Sequence, residues 1–262
     1  MRTPRFRVLQ DGPGEARWNM SVDEALLLES GRTGPALRLY GWREPALSLG
    51  YRQAAPAWLA RCEALGVEVV RRVTGGGAVL HQADLTYAVV APLGTPGLPD
   101  DLSGSYTWIR ARLLEGLQSA GFEVRAAQAS AGASRLDLCF AGATGNEIEL
   151  EGRKLIGSAQ RRTSLGFLQH GSIRIADDTA LYRALTGSSP APPPPPGLDA
   201  AVLRDALVRS FEAALGAPLE PAVLSPAEHA RAEARMAQRR FDRLAAPPLS
   251  LRRFLAAADR VA

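Results

Sequence analysis

Six of the seven residues from Pro190 to Pro196 are proline. Each ring holds φ at about −65° and removes an amide donor, so neither a helix interior nor a central strand can pass through the segment. It must be a stiff, exposed connection. Beyond the prolines, "LDAAVLRDALVRSFEAALG" and "SPAEHARAEARMAQRRFD" read as helices. The second opens on Ser225, Pro226 and Glu228, a capping box with proline at the first helical position. Roughly 65 residues make a thin independent core, so these helices are expected to pack back on the larger body. The chain thus divides into a domain at 1–189, a proline-rich connection at 190–197, and helices at 198–262 belonging to the same domain.

Within the larger body, "NMSVDEALLLESG" reads as a helix, with Ser21 and Glu24 at capping-box spacing and Gly31 as its stop. "ALRLYGW" and "ALSLGY" read as two short strands joined by a turn around Pro45. "PAWLARCEALG" and "YTWIRARLLEGLQSAG" carry apolar residues at helical spacing. "VEVVRRV" and "LTYAVVAP" are β-branched strands on either side of a glycine run. "EIELEGRKLIGSAQ" predicts a hairpin turning at Glu151-Gly152, and "FLQHGSIRI" a further strand. Strands and helices alternating around a hairpin-rich middle point to an α+β fold.

The sequence is 46% hydrophobic and 22% charged, ordinary for a globular chain of 262 residues. Its net charge of +4 suits an acidic partner, but the arginines are scattered and form no nucleic-acid stripe. Two cysteines are too few for a disulfide framework, and no stretch has the length of a signal peptide core or a membrane span. A cytoplasmic protein without nucleic-acid or membrane partners is expected.

Three constellations can carry chemistry. The first is "RRVTGGGAVLHQADLTYAVV". Gly75, Gly76 and Gly77 let backbone approach a ligand closely, and Arg71 and Arg72 supply fixed charge for an anionic or carbonyl-bearing group. His81 follows, and a lone histidine is more often structural than catalytic. The second is Cys139 in "LDLCFAGATGN", where a strand gives way to a loop; a nucleophilic thiolate there needs a nearby cation. Cys62 sits in a helical segment and reads as a buried hydrophobe. The third is Lys154, the one lysine among 31 basic residues. An ammonium is a compact charge that can donate or accept a proton when desolvated, whereas a guanidinium stays charged and needs room for its planar fork.

Taken in order, "WNMSVDEALL", "RLYGW", "LSLGY", "RRVTGGGAVLHQADLTYA" and "GRKLIGSAQRRTSLGFLQHGSI" resemble the biotin/lipoate protein ligase superfamily over roughly residues 5 to 176. The resemblance implies a mixed, largely antiparallel sheet flanked by helices, as in class II synthetases. It also implies that Gly157, Ser158, Ala159 and His170 bind substrate together with Arg71, Arg72, Gly75 to Gly77 and His81. Within the superfamily, the LipM-type octanoyltransferase lineage places its cysteine in a "CF" dipeptide 15 residues before the motif lysine. Cys139-Phe140 stands 15 residues before Lys154 here. That match implies Cys139 and Lys154 as the catalytic pair, moving octanoate from acyl carrier protein to a lysine of a lipoyl domain through an acyl-Cys139 thioester. The acceptor would be the glycine-cleavage H protein or a 2-oxoacid dehydrogenase, and the enzyme a monomer needing no cofactor or metal. The glycine triplet carries the ligase spelling, and Gln82 stands where the family has aspartate. An ATP- and Mg-dependent lipoate or octanoate ligase, or an amidotransferase between lipoyl domains, is therefore the alternative.

Overall fold

The computed structural model describes residues 5–82, 84–127, 147–187 and 198–238; the proline run and Cys139 lie outside them. In chain order, β1 (Arg7–Gly14) leads into α1 (Ala16–Thr33), β2 (Ala36–Trp42) and β3 (Ala46–Leu49). A 3₁₀ turn (Ala57–Ala60) and α2 (Arg61–Ala64) precede β4 (Glu68–Arg71), β5 (Val79–His81) and β6 (Asp84–Pro92). Then come α3 (Leu102–Ser119), β7 (Val124–Ala126), β8 (Ile148–Leu150), β9 (Arg153–Arg162), β10 (Gly166–Arg174) and α4 (Thr179–Thr186). After the connection stand α5 (Ala200–Leu215), β11 (Glu220–Pro221) and α6 (Pro226–Gln238).

Eight strands form one mixed sheet in the order β11-β1-β2-β6-β10-β9-β8-β7. Among the described residues, only the β11/β1 and β1/β2 pairs of this sheet are parallel. The α+β class and the largely antiparallel sheet read from the sequence are what is found. A smaller sheet, β4-β3-β5, pairs β3 in parallel with β4 and antiparallel with β5. The two strands flanking Pro45 are thus not partners. β2 belongs to the large sheet and β3 to the small one.

Strand β6 explains the layering. Leu85, Tyr87, Val89 and Ala91 pack against α3 and α5, while Ala88 and Val90 face α1. Because both faces are covered, the strand reads as a continuous apolar run rather than an alternating one. α5 packs on α3, α6 packs on α1, and β11 pairs with β1, so segments on both sides of the prolines share one core.

Local sequence signals are resolved unevenly. Glu151 (φ 52°) and Gly152 (φ 74°) both take the left-handed conformation that a two-residue hairpin turn demands. At α6, Ser225 N donates to Glu228 Oε2 (2.8 Å) and Glu228 N to Ser225 Oγ (3.3 Å), a closed capping box. Ser21 and Glu24, by contrast, do not start a helix. α1 begins at Ala16, Ser21 Oγ donates to the Arg17 carbonyl at 2.7 Å, and Glu24 pairs with Arg235 of α6 at 3.3 Å. A helix buried between the sheet and α6 uses the same spacing to satisfy buried polar atoms. It runs on past Gly31 to Thr33, where Gly34 (φ 80°) follows. Cys62 lies buried in α2, which continues the 3₁₀ turn as one short helical stretch, and the glycine run leads into β5, three residues that lie outside the two strands anticipated there.

Candidate functional site

The small sheet covers part of the α1 face of the large sheet, and a small, partly open cavity lies between the two. The large sheet contributes Tyr40 and Trp42 from β2, Thr86 from β6, Gly157 to Ala159 from β9 and His170 to Ser172 from β10. Opposite them stand Ser48 of β3, Val79 and His81 of β5, and Arg72, while α1 adds Met20. Residues from two separate motifs, Arg72 and His81 on one side and Gly157, Ser158, Ala159 and His170 on the other, are thereby brought to one space. Within the second of these motifs, the antiparallel β9–β10 pair sets Gly157 opposite Ser172, Ser158 opposite Gly171 and Ala159 opposite His170. A Cβ on Gly171 would come within 2.6 Å of both the Gly157 carbonyl oxygen and a Tyr87 ring carbon, so this wall requires glycine.

Arg72 organises the small-sheet side. Its Nη1 donates to the Ser48 carbonyl at 2.7 Å and approaches Ser48 Oγ at 3.3 Å. Its Nη2 donates to the carbonyls of Gly75 (2.6 Å) and Gly77 (2.7 Å). The glycine loop therefore wraps its own arginine, and Gly76 takes φ 90° to do so. Gly50 is forced as well, since a Cβ there would lie 2.0 Å from the Gly76 carbonyl oxygen. Arg71 points elsewhere: its Nη1 donates to the carbonyls of Gly50 (2.6 Å) and Gln53 (2.9 Å). Neither Arg71 nor Gly75 to Gly77 lines the cavity.

His81 and His170 are each buried between an aspartate and a hydroxyl. His81 Nδ1 is 2.9 Å from Asp84 Oδ2, and its Nε2 is 2.9 Å from Ser48 Oγ. Trp42 stacks on the ring, with centroids 3.7 Å apart and planes 15° apart, and donates its Nε1–H to Thr86 at 2.9 Å. His170 Nδ1 is 2.8 Å from Asp23 Oδ2, and its Nε2 is 2.6 Å from Thr74 Oγ1. Asp23 also accepts from Arg38 Nη1 and from Tyr40 Oη, both at 2.8 Å. Burial alone would raise the Asp23 carboxyl, yet the His170 hydrogen bond and the Arg38 charge hold it below its ordinary value. Burial pushes the His170 imidazole down against the pull of Asp23, and pushes the Tyr40 phenol up, with the Asp23 charge adding to it.

Lys154 lies on β9, three residues before Gly157, and its Nζ donates to Glu147 Oε1 in a buried ion pair across the β8–β9 hairpin. Lys154 does not line the cavity. The partners Asp23, Asp84, Ser48, Thr74 and Glu147 were not singled out in the sequence. Only Asp84 had a local signal there, three residues after His81. Among the described residues, no group of three or more His, Cys, Asp or Glu side chains is placed to hold a metal ion, and no helix is long and apolar enough to cross a membrane.

The family model for the lipoyl protein ligase A/B catalytic domain matches residues 15–193. Octanoyltransferase LipM of Kyrpidia tusciae is 38% identical over 266 residues, covering 89% of this chain and 95% of that protein. Octanoyltransferase LipM of Carboxydothermus hydrogenoformans is 44% identical over 172 residues, 64% of each chain. Among solved structures, lipoate-protein ligase A bound with ATP superposes with a TM-score of 0.74 at 21% identity, covering 89% of this chain and 95% of that one. The bipartite lipoate protein ligase of Thermoplasma acidophilum, solved in a study of that ligase and its E2 lipoyl domain, gives a TM-score of 0.69 at 20% identity over 89% and 92%. At those identities the structural likeness speaks to the fold alone.

Proposed function

The chain belongs to the lipoyl protein ligase A/B catalytic domain family, and from that premise we propose that it is an octanoyltransferase of lipoate biosynthesis. It takes octanoate from acyl carrier protein and delivers it to a lysine of a lipoyl domain, as a cytoplasmic monomer. The observation that carries this reading is the cavity, in which two family motifs meet around apolar surface from Met20, Trp42 and Val79. The names of the relatives side with transfer rather than ATP-dependent ligation.

In this mechanism the Cys139 thiolate adds to the thioester carbonyl and the carrier thiol leaves, giving an octanoyl-Cys139 thioester. The ε-amine of the acceptor lysine then attacks, an amide forms, and Cys139 is released. Lys154 supplies positive charge for the thiolate and the oxyanion, while Glu147 holds it in place. A guanidinium fork at residue 154 would need space that the buried Glu147 pair leaves to an ammonium. The thioester already stores the driving force, so the proposed reaction consumes no ATP and uses no metal.

A transfer assay onto apo-lipoyl domain tests the reading with three donors in separate arms: octanoyl-carrier protein, octanoyl-lipoyl domain, and free octanoate with ATP and Mg²⁺. Octanoylation is expected from the carrier arm without ATP. Product only from free octanoate with ATP would make the protein a ligase, and product only from octanoyl-lipoyl domain an amidotransferase.

A further inference from the structure

Ser48, His81 and Asp84 form a connected hydroxyl–imidazole–carboxylate unit whose serine lines the cavity. Proton positions follow from the partners. The Asp84 carboxylate accepts from His81 Nδ1–H, and in the neutral imidazole Nε2 then presents a lone pair to Ser48. Arg72 can only donate toward Ser48 Oγ, which leaves the serine hydrogen for Nε2. Asp84 is itself fixed: its Oδ2 also accepts from Thr86 Oγ1 at 3.1 Å and Ser172 Oγ at 2.5 Å. The Trp42 stack fixes the ring plane. This is the arrangement that activates a hydroxyl nucleophile: a base within hydrogen-bond reach, oriented by a third group.

Thr74, His170 and Asp23 repeat the pattern with a different outcome. Thr74 is fully buried and does not line the cavity, so no ligand there can reach its hydroxyl. Ser48, though only 2% exposed, lines the space, and Arg72 Nη1 donates toward its oxygen at 3.3 Å.

We propose that Ser48 is a second nucleophile of this protein, giving it an activity toward activated acyl esters and thioesters that is separate from transfer through Cys139. Ser48 Oγ adds to the acyl carbonyl while its proton passes to His81 Nε2. The bond to the alcohol or thiol leaving group breaks, and that group takes the proton from His81. Water then adds to the acyl-serine ester and gives a proton to His81. The Ser48 oxygen departs, recovers that proton, and the free carboxylic acid leaves. The octanoyl-length acyl class rests on the function proposed above, whereas the nucleophile rests only on the geometry at Ser48.

A fluorophosphonate bearing a medium-length alkyl chain tests the nucleophile without any acyl substrate, since the serine oxygen displaces fluoride from phosphorus. Peptide mapping of the wild-type protein should place the adduct on Ser48 and none on Thr74. Asp84→Asn, checked for a native circular dichroism spectrum, should label on the order of 100-fold more slowly. No adduct at Ser48 in the wild type, or wild-type labelling by folded Asp84→Asn, overturns the proposal. Hydrolysis of 4-nitrophenyl octanoate gives a second readout. It should persist in Cys139→Ala and fall to the buffer rate in the double variant Cys139→Ala/Ser48→Ala, and hydrolysis that vanishes in Cys139→Ala or is unchanged in the double variant contradicts the proposal. Failure of the transferase reading would appear separately, as carrier-dependent transfer that persists in Cys139→Ala.

Discussion

The two buried histidines share a wiring pattern and differ in what surrounds it. His170 is tied through Asp23 to Arg38 and Tyr40, so helix α1, strands β2 and β10 and the start of the glycine loop at Thr74 meet in one charged network. His81 is tied through Asp84 only to hydroxyls, and its free side is an aromatic stack and a cavity. Both histidines border the cavity, but the hydroxyl partner of His81, Ser48, lines it as well, whereas Thr74 beside His170 does not. The same side-chain set therefore ties several elements together at His170 and, at His81, sets a serine hydroxyl against the cavity wall.

Removing Arg38 should separate the two networks most sharply. Arg38→Ala leaves the Asp23 carboxylate buried without its main counter-charge, a loss of about 3–5 kcal/mol. Asp84→Asn keeps an acceptor for His81 and should cost only about 1–2 kcal/mol. Urea titrations of both variants check the order; equal losses would erase the distinction.

Lys154→Arg probes a third buried pair, Lys154–Glu147, which the proposed function places beside the reaction. Transfer from octanoyl-carrier protein should fall on the order of 100-fold while the protein stays folded. Normal turnover by that variant would remove Lys154 from the chemistry.

The smallest expected effect is one of pH. The folded state holds the His170 pKa below its ordinary 6.5, so the unfolded chain takes up a proton that the folded one refuses. That contribution to stability is complete above pH 6.5 and shrinks as pH falls, by at most about 1.4 kcal/mol per unit. Asp23, lowered from 3.8, adds a loss in the same direction at more acid pH. Melting temperatures between pH 7 and pH 5 should decline in the wild type and flatten in His170→Gln. An unchanged slope in His170→Gln would assign the decline to another group.

What could be read beforehand follows the range of the interactions. The Glu151-Gly152 turn and the Ser225–Glu228 cap depend on backbone a few residues away, and the sequence carried both. Ser21 and Glu24 misled because the spacing falls mid-helix: Ser21 turns back to the Arg17 carbonyl, and Glu24 is paired by Arg235 of α6, more than 200 residues further on. The cavity wall was legible as two motifs but not as one place, because only the seating of the small sheet against the large one brings Arg72 and His81 to Gly157, Ser158, Ala159 and His170. Asp23 stands 147 residues from His170, and no local pattern connects them. Lys154 stood out by composition, whereas Glu147 did not, because their meeting depends on the β8–β9 register and the bulge at Ile148/Glu149.

Intact-mass analysis with octanoyl-carrier protein, without ATP, tests the central claim most directly. The wild type should gain one octanoyl group, released by neutral hydroxylamine as a thioester and mapped to Cys139, and apo-lipoyl domain should discharge it. A wild type that acquires no thioester, or one that maps away from Cys139, would contradict the proposed mechanism.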